Sequence, residues 1–279
     1  MSYFSRPLIA LSVNLYVQSA VKHVLTQGDS LLIATLASLQ DQGAYALASN
    51  YGGLLARMLF QPIEESSRNA FGSLLSPEAG GKPSAQGMRS ASVYLRTILR
   101  FYALLSVLAA ALGPTIAPLL LRVVAGSRWS STGAGEVLAT YCYLIPFLAL
   151  NGITEAYISS VASSSELQRQ SIWMFAFSVG FASAGYVFLR VLGWGAVGLV
   201  WANVVNMLFR IIWSWSFIKH HLRRNGGSLE ISDTLPTIGT HAVGLAAAAL
   251  LARVRGTFTG RFEDFLKSGA VAVICLLLM

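Results

Sequence analysis

The residues with chemistry to offer lie where a hydrophobic chain has least use for them. Asn14, Gln18 and Lys22 recur at every fourth position with His23 beside them, so the three share one face of a helix. Asn151, Glu155 and Ser159 repeat that spacing with Thr154 adjacent, and Asn203, Asn206, Arg210 and Ser214 follow steps of three, four and four. A charged side chain at mid-bilayer costs roughly 2.5–3.5 kcal/mol on insertion scales, so these faces turn away from lipid. Two readings stay open. Each stripe taken singly serves as helix–helix glue, at about 0.6 kcal/mol per contact. Three stripes in one chain, two of them carrying cations, point together to a shared hydrated cavity, a feature of transporters.

The segment between the first two stripes is denser in polar groups. Asp29 follows Gly28, Asp41-Gln42-Gly43 interrupts an apolar stretch, Asn50-Tyr51-Gly52-Gly53 lies within it, and Arg57 comes next. The stretch closes on Gln61-Pro62-Ile63-Glu64-Glu65-Ser66-Ser67-Arg68, where Pro62 lacks a backbone donor and bends or ends a helix. Glu64 and Arg68 stand four apart with the acid first, the favourable order for an ion pair. The sequence leaves open an ordinary interfacial helix end or a kinked gate latch carrying two carboxylates and two arginines.

These stripes need long apolar helices to carry them, and the composition supplies the helices. Of 279 residues, 54% are hydrophobic and 11% charged, with a mean hydropathy of +0.60. Soluble domains are about 45–50% apolar and about 25% charged, so a water-soluble enzyme is excluded, and disorder with it. The expected fold is an all-α polytopic membrane protein with about seven to eight transmembrane helices. Candidate spans cover 7–25, 30–62, 98–122, 137–162, 171–192, 194–218, 239–254 and 268 onward, the second broken at Asp41-Gln42-Gly43. The whole of 1–279 reads as one helical membrane region with polar loops at about 66–96 and 219–236.

With strict alternation those two loops share a face, which the positive-inside rule makes cytosolic. The net charge of +8 and pI of 9.8 then belong to topology and anionic lipid rather than to nucleic acid. Trp194, Trp201, Trp213 and Trp215 bracket one span, as interfacial anchors or as bulky packing. Cys142 and Cys275 lie in apolar stretches without metal-ligand spacing and read as buried hydrophobes. No catalytic, cofactor or metal site is expected. Gly80-Gly81-Lys82-Pro83 has Pro where a phosphate-binding loop needs Ser or Thr, and His220-His221 reads as part of an interfacial basic patch.

Three longer motifs resemble the eukaryotic Rft family. They are Ser12-Val13-Asn14-Leu15 leading into Gln18 through Asp29, then Asp41 through Gly52, then Phe60 through Arg68. The clear likeness covers roughly residues 1–70, with Gln27 where the family usually has Glu and Ser30 where Lys is common. The resemblance implies the fold of the multidrug and oligosaccharidyl-lipid exporters, whose Rft members are about twice this length and built as two bundles. The chain then reads as the second half of such a molecule, truncated at both ends. It also implies an endoplasmic reticulum membrane protein that translocates pentamannosyl, chitobiose-diphosphate dolichol for N-glycosylation. On that reading Lys22, Arg57 and Arg210 meet the diphosphate, Asn14, Gln18, His23 and Asn206 line the substrate path, and Asp29, Asp41, Glu64, Glu65 and Arg68 latch helices. A non-transporting accessory of the same pathway and an ion-coupled exporter with Glu155 as proton carrier are the alternatives.

Overall fold

A computed structural model describes residues 33–76, 83–125, 133–255 and 262–278, and the regular structure among them is helical with no strand. Helices α1 (Leu39–Leu74), α2 (Ala85–Ala125), α3 (Ala134–Tyr141) and α4 (Ile145–Val161) are followed by α5 (Ser164–Tyr186), which ends in a wide turn at Val187–Val191. Then come α6 (Gly195–Arg224), a short turn of 3-10 helix (Ile231–Asp233), α7 (Ile238–Arg255) and α8 (Phe262–Leu278).

Asp41 starts a helix instead of breaking one. The chain breaks just before it, at Ser38, whose extended backbone (ψ 156°) and side-chain oxygen cap the Asp41 amide at 3.1 Å. Ser, Asp and their like favour helix starts because they satisfy amides that have no partner in the first turn. Pro62 does not end α1 either. Pro62 and Met58, whose carbonyl loses its intrahelical donor, both lie on the exposed face, so the helix continues without burying an orphaned acceptor.

The polar connection expected over 66–96 shrinks to the residues between Leu74 and Ala85. Its flanks are drawn into helix by packing. Phe71 is fully buried, edge-on to the rings of Tyr94 and Tyr157, and the buried Ser67 hydroxyl donates to the Ile63 carbonyl at 2.6 Å and lies 3.2 Å from the Tyr94 hydroxyl. Tertiary burial overrides a Ser-rich composition here. In the same way α6 runs on through His221 to Arg224 before the chain turns.

Among the described residues, three helices are long and apolar enough to cross a membrane, Ala85–Val123, Ser164–Val191 and Gly195–Arg224. The pair α3 and α4, bent by 44°, passes as a fourth span when taken together, and Ile238–Arg253 and Leu266–Cys275 are shorter apolar helices. The chain is thus an all-α, multi-pass membrane protein. Its largest core joins α1, α2, α4 and α6 through Phe60, Phe71, Leu95, Tyr102, Ile153 and Ile218. A second core packs α3 among α1, α2 and α6, and a third holds α7 and α8 against α2.

The two polar connections lie at one end of the bundle. Arg96 pairs with Asp233 at 2.9 Å, Arg100 Nε donates to the Asp233 carbonyl at 2.6 Å, and Gly227 sits against Met88 and Ser92.

Candidate functional site

Where α1, α4 and α6 meet, polar side chains form a seam inside the apolar bundle. The α4 stripe and the α6 stripe face each other, and Arg210 Nη2 donates to Glu155 Oε1 at 2.5 Å. Their side chains are 25% and 30% exposed, so the pair is neither sealed in the core nor freely hydrated. Opposite charges that meet inside a bundle avoid the larger cost of facing hydrocarbon singly. The arrangement leaves unused capacity: Arg210 Nε and Asn151 Oδ1 are buried with no hydrogen-bond partner. Asn206 and Ser214 on α6 are buried as well, at 4% and 1% exposure.

Glu64 enters the seam from α1. It lies over Gly152, where a Cβ would overlap its carboxylate, so the glycine is what admits an acid between the two helices. Glu64 is close enough to Glu155 for their charges to interact, and the Arg68 charge acts on it as well. The fully buried Tyr102 of α2, packed on Phe60, also carries a hydroxyl without a partner. Buried polar groups normally find partners. A seam holding several that do not is suited to receiving hydroxyl-rich or phosphate-bearing groups by exchange of hydrogen bonds.

The other residues named from the sequence are distributed around this seam. Asn203, one turn before Asn206, donates to the Tyr45 hydroxyl at 2.6 Å and ties α6 to α1. Arg57 is exposed and turns back along its own helix, its Nε donating to the Gly53 carbonyl at 3.1 Å, with the Tyr141 hydroxyl flanking the same glycine. It does not join Arg210. The expected ion pair between Glu64 and Arg68 is absent, because Glu64 points into the α1–α4 contact while Arg68 is exposed. The Arg68 carbonyl instead accepts the Ser160 hydroxyl at 2.9 Å, holding α1 to the end of α4. Glu65 is exposed. Asn14, Gln18, Lys22, His23 and Asp29 lie outside the described residues.

Asp41 spans two helices. Its Oδ2 accepts the Ser38 hydroxyl at 2.6 Å and its Oδ1 accepts the Ala196 amide at 2.9 Å. The carboxylate thus caps α6, where the helix dipole favours a negative charge. Gly195 makes this possible, with φ +54° and no side chain where a Cβ would stand 2.6 Å from Asp41 Oδ1.

Several contacts were not visible as site residues in the sequence. Tyr157 and His221 share a hydrogen bond of 3.0 Å, and His221 also stacks on Phe217, so one member of the His220-His221 patch is a packing residue. Ser163 and Glu166 form a capping box at the start of α5, a pattern legible as Ser-x-x-Glu. Among the described residues no group of three or more His, Cys, Asp or Glu side chains can hold a metal ion.

The sequence matches the family model described as Rft protein over residues 1–279. It is 36% identical over 275 residues to the Man(5)GlcNAc(2)-PP-dolichol translocation protein RFT1 of Yarrowia lipolytica, covering 96% of this chain and 40% of the relative. The proteins of the same name from Kluyveromyces lactis and Mus musculus are 35% and 32% identical, over 99% and 95% of this chain and half of each relative. The chain spans about half the length of the curated relatives it matches. No solved structure matches it. A match along the full sequence, joined to a helical membrane bundle with a polar seam, makes this chain a member of the Rft protein family.

Proposed function

We propose that the chain forms one helical bundle of a carrier that moves Man(5)GlcNAc(2)-PP-dolichol across the endoplasmic reticulum membrane. The observation carrying this reading is the likeness to translocation proteins of that name along nearly the whole chain. The seam supports it on chemical grounds. The cargo has a large neutral sugar head, a diphosphate and a polyprenyl tail, and only the first two need a polar path. Asn14, Gln18, His23, Asn151 and Asn206 offer hydrogen bonds to sugar hydroxyls. Lys22, Arg57 and Arg210 offer charge-assisted bonds to the diphosphate. Arg210 reaches it by exchanging Glu155 for phosphate. Asp29, Asp41, Glu64, Glu65 and Arg68 hold helices together on this reading, since acids repel an anionic cargo. No bond of the cargo is made or broken, so the protein acts as a carrier and not as an enzyme.

The test is a chimera in which this chain replaces the matching half of the Kluyveromyces lactis relative. The chimera is expected to restore N-glycosylation in cells lacking that relative and to accelerate transbilayer movement of the authentic lipid in reconstituted vesicles. Arg210→Ala is expected to slow that movement about tenfold per folded molecule reconstituted, the loss of one charge-assisted contact. Restored glycosylation with no accelerated movement would overturn the carrier reading in favour of an accessory role.

A further inference from the structure

A second polar feature lies apart from the seam. Between the first turns of α5 and the last turns of α6 runs an open groove of about 450 Å³, lined by Glu166, Arg169, Trp173, Trp213, Phe217 and His220. It sits at the end of the bundle that carries the polar connections. A smaller hollow of about 270 Å³, lined by Lys219, Arg223, Ser228, Glu230 and Ser232 among others, flanks the same end of α6.

We propose that this groove seats the head group of an anionic membrane phospholipid, with its acyl chains running down the aromatic walls. Three observations point there. Glu166 Oε2 is held in its helix cap, accepting from Ser163 N and Ser163 Oγ at 2.8 Å each, while the exposed Arg169 has no ion pair among the described residues. In and beside the groove the cations Arg169, Lys219 and Arg223, with His220 alongside, outnumber the acids Glu166 and Glu230. Below the cations the walls become aromatic. Trp173 stacks on Phe177 and Phe177 on Phe209, while Trp213 stacks on Phe217, all with centroids 5.9–6.1 Å apart. Finally, α5 presents Ile172, Phe175 and Val179 outward at 53–72% exposure, so the groove opens onto hydrocarbon. A soluble anion has no use for aromatic walls beneath its site. A lipid phosphate with chains attached uses both, and basic pockets between spans are where such heads bind.

The test puts the 279-residue chain into phosphatidylcholine vesicles with and without phosphatidylserine, some of it brominated on its chains. The readouts are tryptophan quenching and the lipid retained in native mass spectrometry. Phosphatidylserine is expected to quench more strongly and to be retained over phosphatidylcholine. Arg169→Gln should cut that preference about fivefold, the worth of one cation near a membrane surface, whereas Arg169→Lys should keep most of it. Arg190→Gln, in the turn at the other end of α5, should change nothing. Equal retention of the two lipids, or equal effects of Arg169→Gln and Arg190→Gln, would overturn the proposal. So would displacement of the bound phosphatidylserine by an equimolar polyprenyl diphosphate, which would assign the groove to the carrier's cargo.

Discussion

At the scale of single residues, the Glu155–Arg210 pair decides how the seam behaves. Removing one partner leaves the other half-buried in a bundle with no compensating charge, which costs more than the pair contributes. Arg210→Met is expected to lower stability by about 1–3 kcal/mol, read as the thermal midpoint in detergent. The exchange Glu155→Arg with Arg210→Glu should recover most of it. A double-mutant cycle that gave additive losses would show the two side chains to be uncoupled. The spacing of Asn151, Glu155, Asn203, Asn206 and Arg210 told which face each occupies, because helical periodicity is a property of the sequence. It could not tell that α4 and α6 face each other, since pairing depends on which apolar surfaces bury one another. Glu64 shows the limit most plainly. Its spacing to Arg68 suited a local pair, but the packing partner that decided its direction, Gly152, lies 88 positions away.

At the scale of elements, close approach depends on small residues. Without a hydrophobic drive between helices in lipid, association rests on tight packing, and glycine lets two backbones near each other. Gly52 lies against the Tyr141 ring, and a Cβ on Gly113 would stand 2.6 Å from the Cys142 Cβ. Gly113→Val is expected to part α2 from α3 at a cost of about 1–3 kcal/mol, seen as a lower midpoint, while Gly72→Ala, which meets open space, should be nearly neutral. Helix starts follow the same logic of local satisfaction. Asp41→Ala removes the acceptor of the Ala196 amide and should destabilise the start of α6 by about 1 kcal/mol. Faster hydrogen exchange at Ala196 with unchanged exchange in mid-helix would mark the loss as local. The sequence displayed Asp41 as a polar interruption. That it serves a helix more than 150 positions on depends on a turn at Gly193 and Gly195, both with positive φ.

At the scale of the whole molecule, charge is unevenly divided between the two ends. The end holding the C-terminus of α1, the start of α2 and residues 225–237 carries Arg68, Arg89, Arg96, Arg100, Arg169, Lys219, Arg223 and Arg224, against Glu65, Glu166, Glu230 and Asp233. The opposite end, at the C-terminus of α2, the turn after α5, the C-terminus of α7 and the first turns of α8, carries Arg122, Arg190, Arg253 and Lys267, with Asp41, Glu136 and Asp264. Cations beside span ends are retained on the cytosolic side during insertion, and acids count for little. The basic end is therefore expected to face the cytosol, where anionic lipid is also concentrated and would supply the groove between α5 and α6. Cysteine labelling in sealed microsomes reads this directly, and the native thiols of Cys142 and Cys275 are buried, so background is low. A membrane-impermeant maleimide should modify Ser76→Cys and Ser228→Cys from outside and should reach Leu192→Cys only after the membrane is opened. The reverse pattern would invert the molecule, and the groove would then meet the lumenal leaflet, where the charge argument for its lipid no longer holds.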